Sequence, residues 1–131
     1  MLMRNEGPVL VAEPRMADAM SSHRLLRQMG YLVRVATSPQ ETLRLMRREV
    51  MVRALVAVEL TAHTGEPLLS VLRDLPAMQL LMATGPPGRA EMEILARRAG
   101  ADVYLPRPVG IGMLAAALRV SAAPSALAGA S

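Results

Sequence analysis

The chain has 131 residues, 52% of them hydrophobic, a net charge of +4, and neither cysteine, phenylalanine nor tryptophan. That length and apolar content fit one domain with one core and exclude a disordered chain. The missing cysteines exclude disulfides, thiol catalysis and cysteine-ligated metals. No apolar run reaches the roughly 18 residues of a membrane span, and MLMRNEGPVL (1–10) lacks a signal peptide's apolar segment, so a cytoplasmic protein off the membrane is expected. All basic residues are Arg, scattered among acids except in RLMRR (44–48), and the only aromatics, Tyr31 and Tyr104, offer no base-stacking platform. Nucleic-acid binding is therefore not expected. Eleven methionines are expected to fill core volume that aromatics fill elsewhere.

PVLVAE (8–13) is a short apolar run ending on an acid, and ADAMSSHRLLRQMG (17–30) reads as a helix closed by Gly30. YLVRVA (31–36) is rich in strand formers. TSPQETLRLMRREV (37–50) has the most secure helix start in the chain: Ser38 as N-cap, Pro39 at the first helical position and Glu41 completing a capping box. ALVAVEL (54–60) reads as a third strand, apolar except for Glu59, and TAHTG (61–65) as a loop. EPLLSVLRDL (66–75) is a short helix, MQLLMAT (78–84) a fourth strand and GPPG (85–88) a turn. RAEMEILARRAG (89–100) is a helix ended by Gly100, ADVYL (101–105) a fifth strand, and GIGMLAAALRV (110–120) a glycine-weakened last helix. Residues 1–120 thus form one domain, and SAAPSALAGAS (121–131) has the composition of a linker or disordered tail.

Five strand–helix units in alternation predict an α/β fold, a doubly wound parallel sheet with helices on both faces. In such sheets the chemistry sits beyond the carboxyl ends of the strands. Glu13, Glu59 and Thr84 each close a strand there and Arg107 follows the fifth, so four polar groups distant in sequence are expected in one surface cleft.

At this point the chain resembles a bacterial response-regulator receiver domain of the CheY-like type. The resemblance spans roughly residues 8–120 and rests on an ordered set: VLVAEP, MGYLVRVATSPQETL, ALVAVEL, LLMAT and AGADVYLPRP, the last similar to G-A-x-x-Y-L-x-K-P. It implies a five-stranded flavodoxin-like (βα)5 fold with strand order 2-1-3-4-5. It also implies a role in two-component signalling or a phosphorelay: phosphoryl transfer from a histidine kinase to an Asp on the third strand, Mg²⁺ held by that Asp and an acidic pair, contacts from a Lys and a Ser/Thr, and an aromatic ring that turns inward on activation.

Several positions depart from that pattern. The phosphoacceptor position holds Glu59, the acidic pair is reduced to Glu13 followed by Pro14, and the Lys position holds Arg107. Thr84, the switch aromatic Tyr104 and a cis-prolyl candidate at Arg107–Pro108 match. A glutamate carries its carboxylate roughly 1.5 Å further out than an aspartate, and phosphoryl transfer depends on positioning. The resemblance therefore implies an atypical pseudo-receiver, not an enzyme, with no cofactor and no Mg²⁺ site.

Glu59 is either a solvated remnant or the partner of Arg107 in an ion pair replacing phosphoryl and Lys. Thr84 reads equally as a hydrogen-bond donor in the cleft or a simple strand terminus. Tyr104 reads as a packing residue with its hydroxyl at the surface, or as the switch. His63 reads as a solvated loop residue, His23 as structural, and Ser70 belongs to no nucleophile motif. The expected function is phosphorylation-independent protein–protein interaction through the Arg89–Leu105 face, with a homodimer also possible by family analogy. The competing readings are a phosphoacceptor with an altered site and a flavodoxin-like nucleotide binder, for which no phosphate loop is present.

Overall fold

In the computed structural model, residues 7–119 are described; the tail expected over 121–131 lies outside them. The elements follow the predicted alternation: β1 (Val9–Ala12), α1 (Met16–Gln28), β2 (Val33–Ala36), α2 (Pro39–Arg48), β3 (Arg53–Ala57), α3 (Leu68–Arg73), β4 (Leu80–Gly85), α4 (Ala90–Arg98), β5 (Val103–Pro106) and α5 (111–119). All strands are parallel, in the order β2-β1-β3-β4-β5. Chain order reverses direction at β1, between β2 and β3, so the carboxyl ends of β1 and β3 flank the switch point.

The strands read as continuous apolar runs because alternate residues feed two separate cores. Leu10, Ala12, Ala54, Val56, Leu81 and Ala83 pack on one face with Leu68, Leu69 and Leu72 of α3 and Ala96 of α4. Val9, Val11, Leu55, Leu80 and Met82 pack on the other with Ala19 and Leu26 of α1 and Leu114, Ala117 and Leu118 of α5. The expectation that methionines fill core volume holds in part. Met51, Met78 and Met82 are buried and Met29 and Met46 pack against the two cores, but Met16, Met20 and Met113 are exposed, and Leu and Ala supply most of the packing. Small alanines in the strands let the helices approach closely, which leaves less volume for long side chains.

The start of α2 forms as its sequence predicts. The Ser38 hydroxyl accepts from the Glu41 amide at 3.1 Å, and the Glu41 carboxylate accepts from the Thr37 amide at 2.8 Å. Replacing Ser38 by alanine is expected to cost about 1 kcal/mol. A shift of the urea midpoint with unchanged slope would register it, and an unchanged midpoint would show that Glu41 and Pro39 hold the helix start alone.

One boundary differs in a way that matters. The strand expected over 54–60 ends at Ala57, and Val58 and Glu59 form a turn closed by the Leu60 amide on the Ala57 carbonyl at 3.2 Å. Leu60 is buried, so the apolar run outlasts the strand by supplying a turn with its own core contact. Glu59 therefore projects from a turn above the sheet.

Candidate functional site

The carboxyl end of β4 and the segments after β1, β3 and β5 bring the polar residues together. Glu13 follows β1, its amide donating to the Ala36 carbonyl at 3.1 Å, and Thr84 sits within β4, paired in register with Ala57. Arg107 follows β5 and is fixed by its amide on the Gly85 carbonyl at 2.9 Å. The Arg107–Pro108 peptide is cis, as its sequence suggested.

Arg107 is the hub. Its Nη2 donates to Glu59 Oε2, while its Nη1 donates to Glu13 Oε1 at 3.2 Å and to the Thr84 hydroxyl at 3.3 Å. The Thr84 hydroxyl in turn donates to Glu13 Oε2 at 2.6 Å. One guanidinium thus joins two carboxylates from the segments after β1 and β3 and a hydroxyl from β4, using the fork geometry that a lysine lacks. Of the two readings of Glu59, the ion pair with Arg107 is the one present. Beside it is a second, deeper pair, Glu13–Arg107, which sequence reasoning did not anticipate.

The expectation that all four groups would lie in an exposed cleft is corrected for two of them. The Glu13 side chain is 1% exposed and Thr84 fully buried, whereas Glu59 keeps 37% of its side-chain surface. A carboxylate is buried so deeply only when its oxygens find partners. Here Thr84 takes one and Arg107 the other.

Burial pushes the Glu13 carboxyl above its ordinary value, and the Thr84 hydrogen bond and the Arg107 charge only partly pull it back. Burial also works against the charge on Arg107, but the Glu59 hydrogen bond and the two carboxylates outweigh it and raise its pKa. A carboxyl whose folded pKa is raised binds more protons in the folded state, so stability falls as pH rises from the ordinary 4.5 to the raised value, then levels off. Glu13→Gln removes that slope. The thermal midpoint of the variant, relative to the wild type, is expected to climb from pH 4.5 upward; a flat difference between pH 4 and 8 would mean that Glu13 titrates ordinarily in the fold.

Around the network lies a shallow cleft of about 460 Å³, lined by Pro14, Arg15, Asp18, Pro86 and Pro87 with Glu59 and Arg107. Asp18 and Arg15 were not anticipated. The available signal was their place beside the first turn of a helix that starts just after the Glu13 strand end. His63 is exposed in its loop, and neither His23 on α1 nor Ser70 on α3 lines this cleft.

The donor set does not fit the Mg²⁺ that a receiver fold implies. Both Glu13 oxygens are already engaged, Pro14 offers no second acid, and a guanidinium bridges Glu13 and Glu59. Among the described residues no group of three or more His, Asp or Glu side chains is placed to hold a metal ion.

Tyr104 is half-buried on β5. Its ring lies against Gly85, where an added Cβ would sit 2.1 Å from the hydroxyl, and the hydroxyl donates to the Pro86 carbonyl at 3.0 Å. Tyr104 is thus the half-buried packing residue of the first reading, and its hydroxyl in addition closes a backbone contact at the rim of the cleft. Burial raises the phenol's pKa, against a lowering by Arg107.

Strand order, helix placement and a polar cleft at the switch point define the fold of a response-regulator receiver domain. Solved structures share it. A response regulator receiver domain protein from Clostridium thermocellum superposes with a TM-score of 0.77 at 22% identity, over 92% of this chain and 98% of that one. The chemotaxis response regulator CheY4 of Vibrio cholerae gives 0.76 at 17%, over 89% and 99%. The receiver domain of Ssk1 from Saccharomyces cerevisiae, crystallised with the histidine phosphotransfer protein Ypd1, gives 0.71 at 16%, over 84% of each chain. No protein-family model matches the sequence, and no curated protein sequence matches it.

Proposed function

We propose that this chain is a receiver-type signalling module that acts by protein contact and needs no phosphoryl group to reach its working conformation. The observation that carries this reading is the Arg107 hub. In the receiver pattern a cationic residue after the fifth strand pairs with a phosphoryl group on the third. Here Arg107 pairs instead with Glu59, whose longer side chain reaches it from the equivalent loop, and with Glu13 beneath. Tyr104 sits against Gly85 with its hydroxyl bonded, the inward seat that the pattern associates with activation.

The preferred partner face is that of α4 and β5, Arg89–Leu105. Ile94 and Leu95 are 50% and 53% exposed there, flanked by the Arg89–Glu91 and Arg97–Glu93 ion pairs. Exposed apolar residues ringed by paired charges suit a protein partner or a second copy. Among the described residues, no helix is long and apolar enough to cross a membrane.

An amide NMR titration with Mg²⁺ and then beryllofluoride tests the proposal. The expected result is a silent spectrum at Glu13, Glu59, Thr84 and Arg107, and unchanged intact mass after acetyl phosphate. Shifts at those residues that spread to Tyr104, or a gain of one phosphoryl mass, would favour the altered phosphoacceptor and overturn the proposal.

A further inference from the structure

The fold sorts the charges that the sequence scatters. In a parallel sheet with crossover helices, each helix runs back against the strands, so the helix carboxyl ends meet at the amino ends of the strands, the pole opposite the cleft. Basic residues fill the last turns there: Arg27 on α1, Arg47 and Arg48 on α2, Arg73 on α3, Arg97 and Arg98 on α4. Acids gather at the cleft pole, where Asp18, Glu41, Glu91 and Glu93 lie in first turns and Glu13 and Glu59 follow strand ends. The domain is a charge dipole, positive at the amino pole.

Little at that pole cancels the charge. Arg24, Arg27, Arg47, Arg48, Arg98 and Arg119 are exposed, and none has an ion-pair partner among the described residues. The nearby acids are already engaged: Glu49 by Arg34 at 2.8 and 3.2 Å, and Asp102 by Arg73 at 2.6 Å and the Leu81 amide at 2.9 Å. Arg53 opens β3, the middle strand, and its buried Nε, like that of Arg73, finds no hydrogen-bond acceptor among the described residues. Helix dipoles account for one cation at each helix end, where about half a negative charge collects. They do not account for the second arginine on α2 and on α4, for Arg24 a turn before Arg27, or for Arg53 on a strand.

What this pole lacks selects what it binds. Protein interfaces bury an apolar centre, and charge-driven membrane binding needs an apolar insertion to hold. Among the exposed large hydrophobic side chains of the described residues, Met16, Ile111 and Met113 lie toward the cleft pole and Met20, Ile94 and Leu95 on the flanks of α1 and α4, which leaves the amino pole with Val50. A phosphate polymer needs no apolar centre: its backbone is recognised by charge, and the guanidinium fork matches phosphate oxygens. Two tyrosines and no other aromatic give no stacking platform for a single strand, so a duplex fits better.

We infer that the amino pole binds the phosphate backbone of double-stranded DNA, without sequence preference, through the exposed arginines of α1, α2, α4 and α5. The expectation against nucleic acid rested on arginines scattered among acids and on missing stacking residues; the fold removes the first ground, and a duplex does not need the second. The cleft at the opposite pole stays free, and the inference holds whether or not that cleft takes a phosphoryl group.

The test uses the isotope-labelled full chain and DNA duplexes of about 16 base pairs in two unrelated sequences. Binding is expected at about 10⁻⁴ M or tighter in roughly 150 mM salt, equal for both sequences, and about fortyfold weaker at roughly 200 than at 50 mM, the fall for about three phosphate contacts. Amide shifts are expected at residues 24–28, 47–49 and 97–99 and at residue 119, with residues 59 and 107 unmoved. Arg47→Glu/Arg48→Glu is expected to weaken binding about tenfold or more, and Arg98→Glu, on a different helix, to weaken it as well; these positions are exposed, so the fold is kept. No binding at about 50 mM salt would overturn the proposal, and so would unchanged affinity in both charge-reversal variants. Equally tight binding of poly-glutamate would overturn it in favour of an acidic protein. Tighter binding of phosphatidylglycerol vesicles would do so in favour of a membrane surface. The same shifts appearing with protein concentration alone would assign the pole to the acidic end of a second copy.

Discussion

Replacing Arg107 by alanine is expected to destabilise the fold by about 2–4 kcal/mol and to make that loss depend on pH. Removing one member of a buried ion pair costs about 3–5 kcal/mol, because the other charge is left unpaired in a poorly solvated place. Arg107 retains 18% of its side-chain surface, so the expected loss is set somewhat below that range. Glu13, 1% exposed, is the group left stranded; its carboxyl, already raised by burial, is expected to rise further once the guanidinium is gone. Protonation then relieves the unpaired charge, so the deficit of the variant should shrink as pH falls toward 4.5 and be largest above the raised value. Adding Glu13→Gln to Arg107→Ala should recover more than half of the loss. Denaturant melts of the four proteins at pH 5 and pH 8 decide the matter. An Arg107→Ala deficit under about 0.5 kcal/mol at both values would mean that Glu13 finds its partner elsewhere.

The two carboxylates on Arg107 do different work. Glu59 is 37% exposed, so Glu59→Gln is expected to change stability by only about 0–1 kcal/mol. Its contribution is positional: it holds the guanidinium's second arm above the cleft. Lysine at 107 keeps the charge yet cannot span Glu59 and Glu13 with a rigid fork, so Arg107→Lys should keep most of the stability and loosen the outer pair. The hub thus supports the core through one carboxylate and shapes the surface through the other.

The backbone plan was legible because it rests on local chemistry. Ser38, Pro39 and Glu41 announce a helix start wherever they occur in that spacing, and the apolar runs of β1, β3 and β4 read as strands buried on two faces. The convergence of Glu13, Glu59, Thr84 and Arg107 was legible as well, since strand ends share an edge in any parallel sheet. The depth of each group was not. Glu13 bonds Thr84 across 71 positions of sequence and Arg107 across 94, and no local signal tells a strand-end acid that will be buried from one that will be solvated. ALVAVEL misled for a related reason. Its apolar residues satisfy the core both within the strand and behind the turn, so hydrophobicity alone could not mark Ala57 as the last strand residue. The methionines misled because counts say nothing of face: Met16 and Met20 lie one helical turn apart on the solvent side of α1.

Gly85→Ala is expected to evict Tyr104 from its seat while leaving the fold intact. The new Cβ would stand 2.1 Å from the phenolic oxygen and 2.8 Å from the ring, distances no side chain tolerates. Gly85 lies in β4 and its φ is not in the left-handed region, so alanine costs the backbone nothing and reduces the freedom of the unfolded chain, a gain of about 0.4–1 kcal/mol. Against that stands the loss of the hydrogen bond to the Pro86 carbonyl, worth about 0.5–1.5 kcal/mol. The two nearly cancel, so the thermal midpoint should move by only a few degrees while the ring swings outward. The phenol reports it directly. Burial holds its pKa above the ordinary value in the wild type, and exposure should bring it back toward 10.0, readable as an earlier step in the ultraviolet titration of the two tyrosines. If the inward ring shapes the α4–β5 face, the same variant should lose partner binding there with Glu59 and Arg107 still paired. An unshifted phenol would mean that β4 yields instead of the ring, and that Tyr104 is held more firmly than a single hydrogen bond explains.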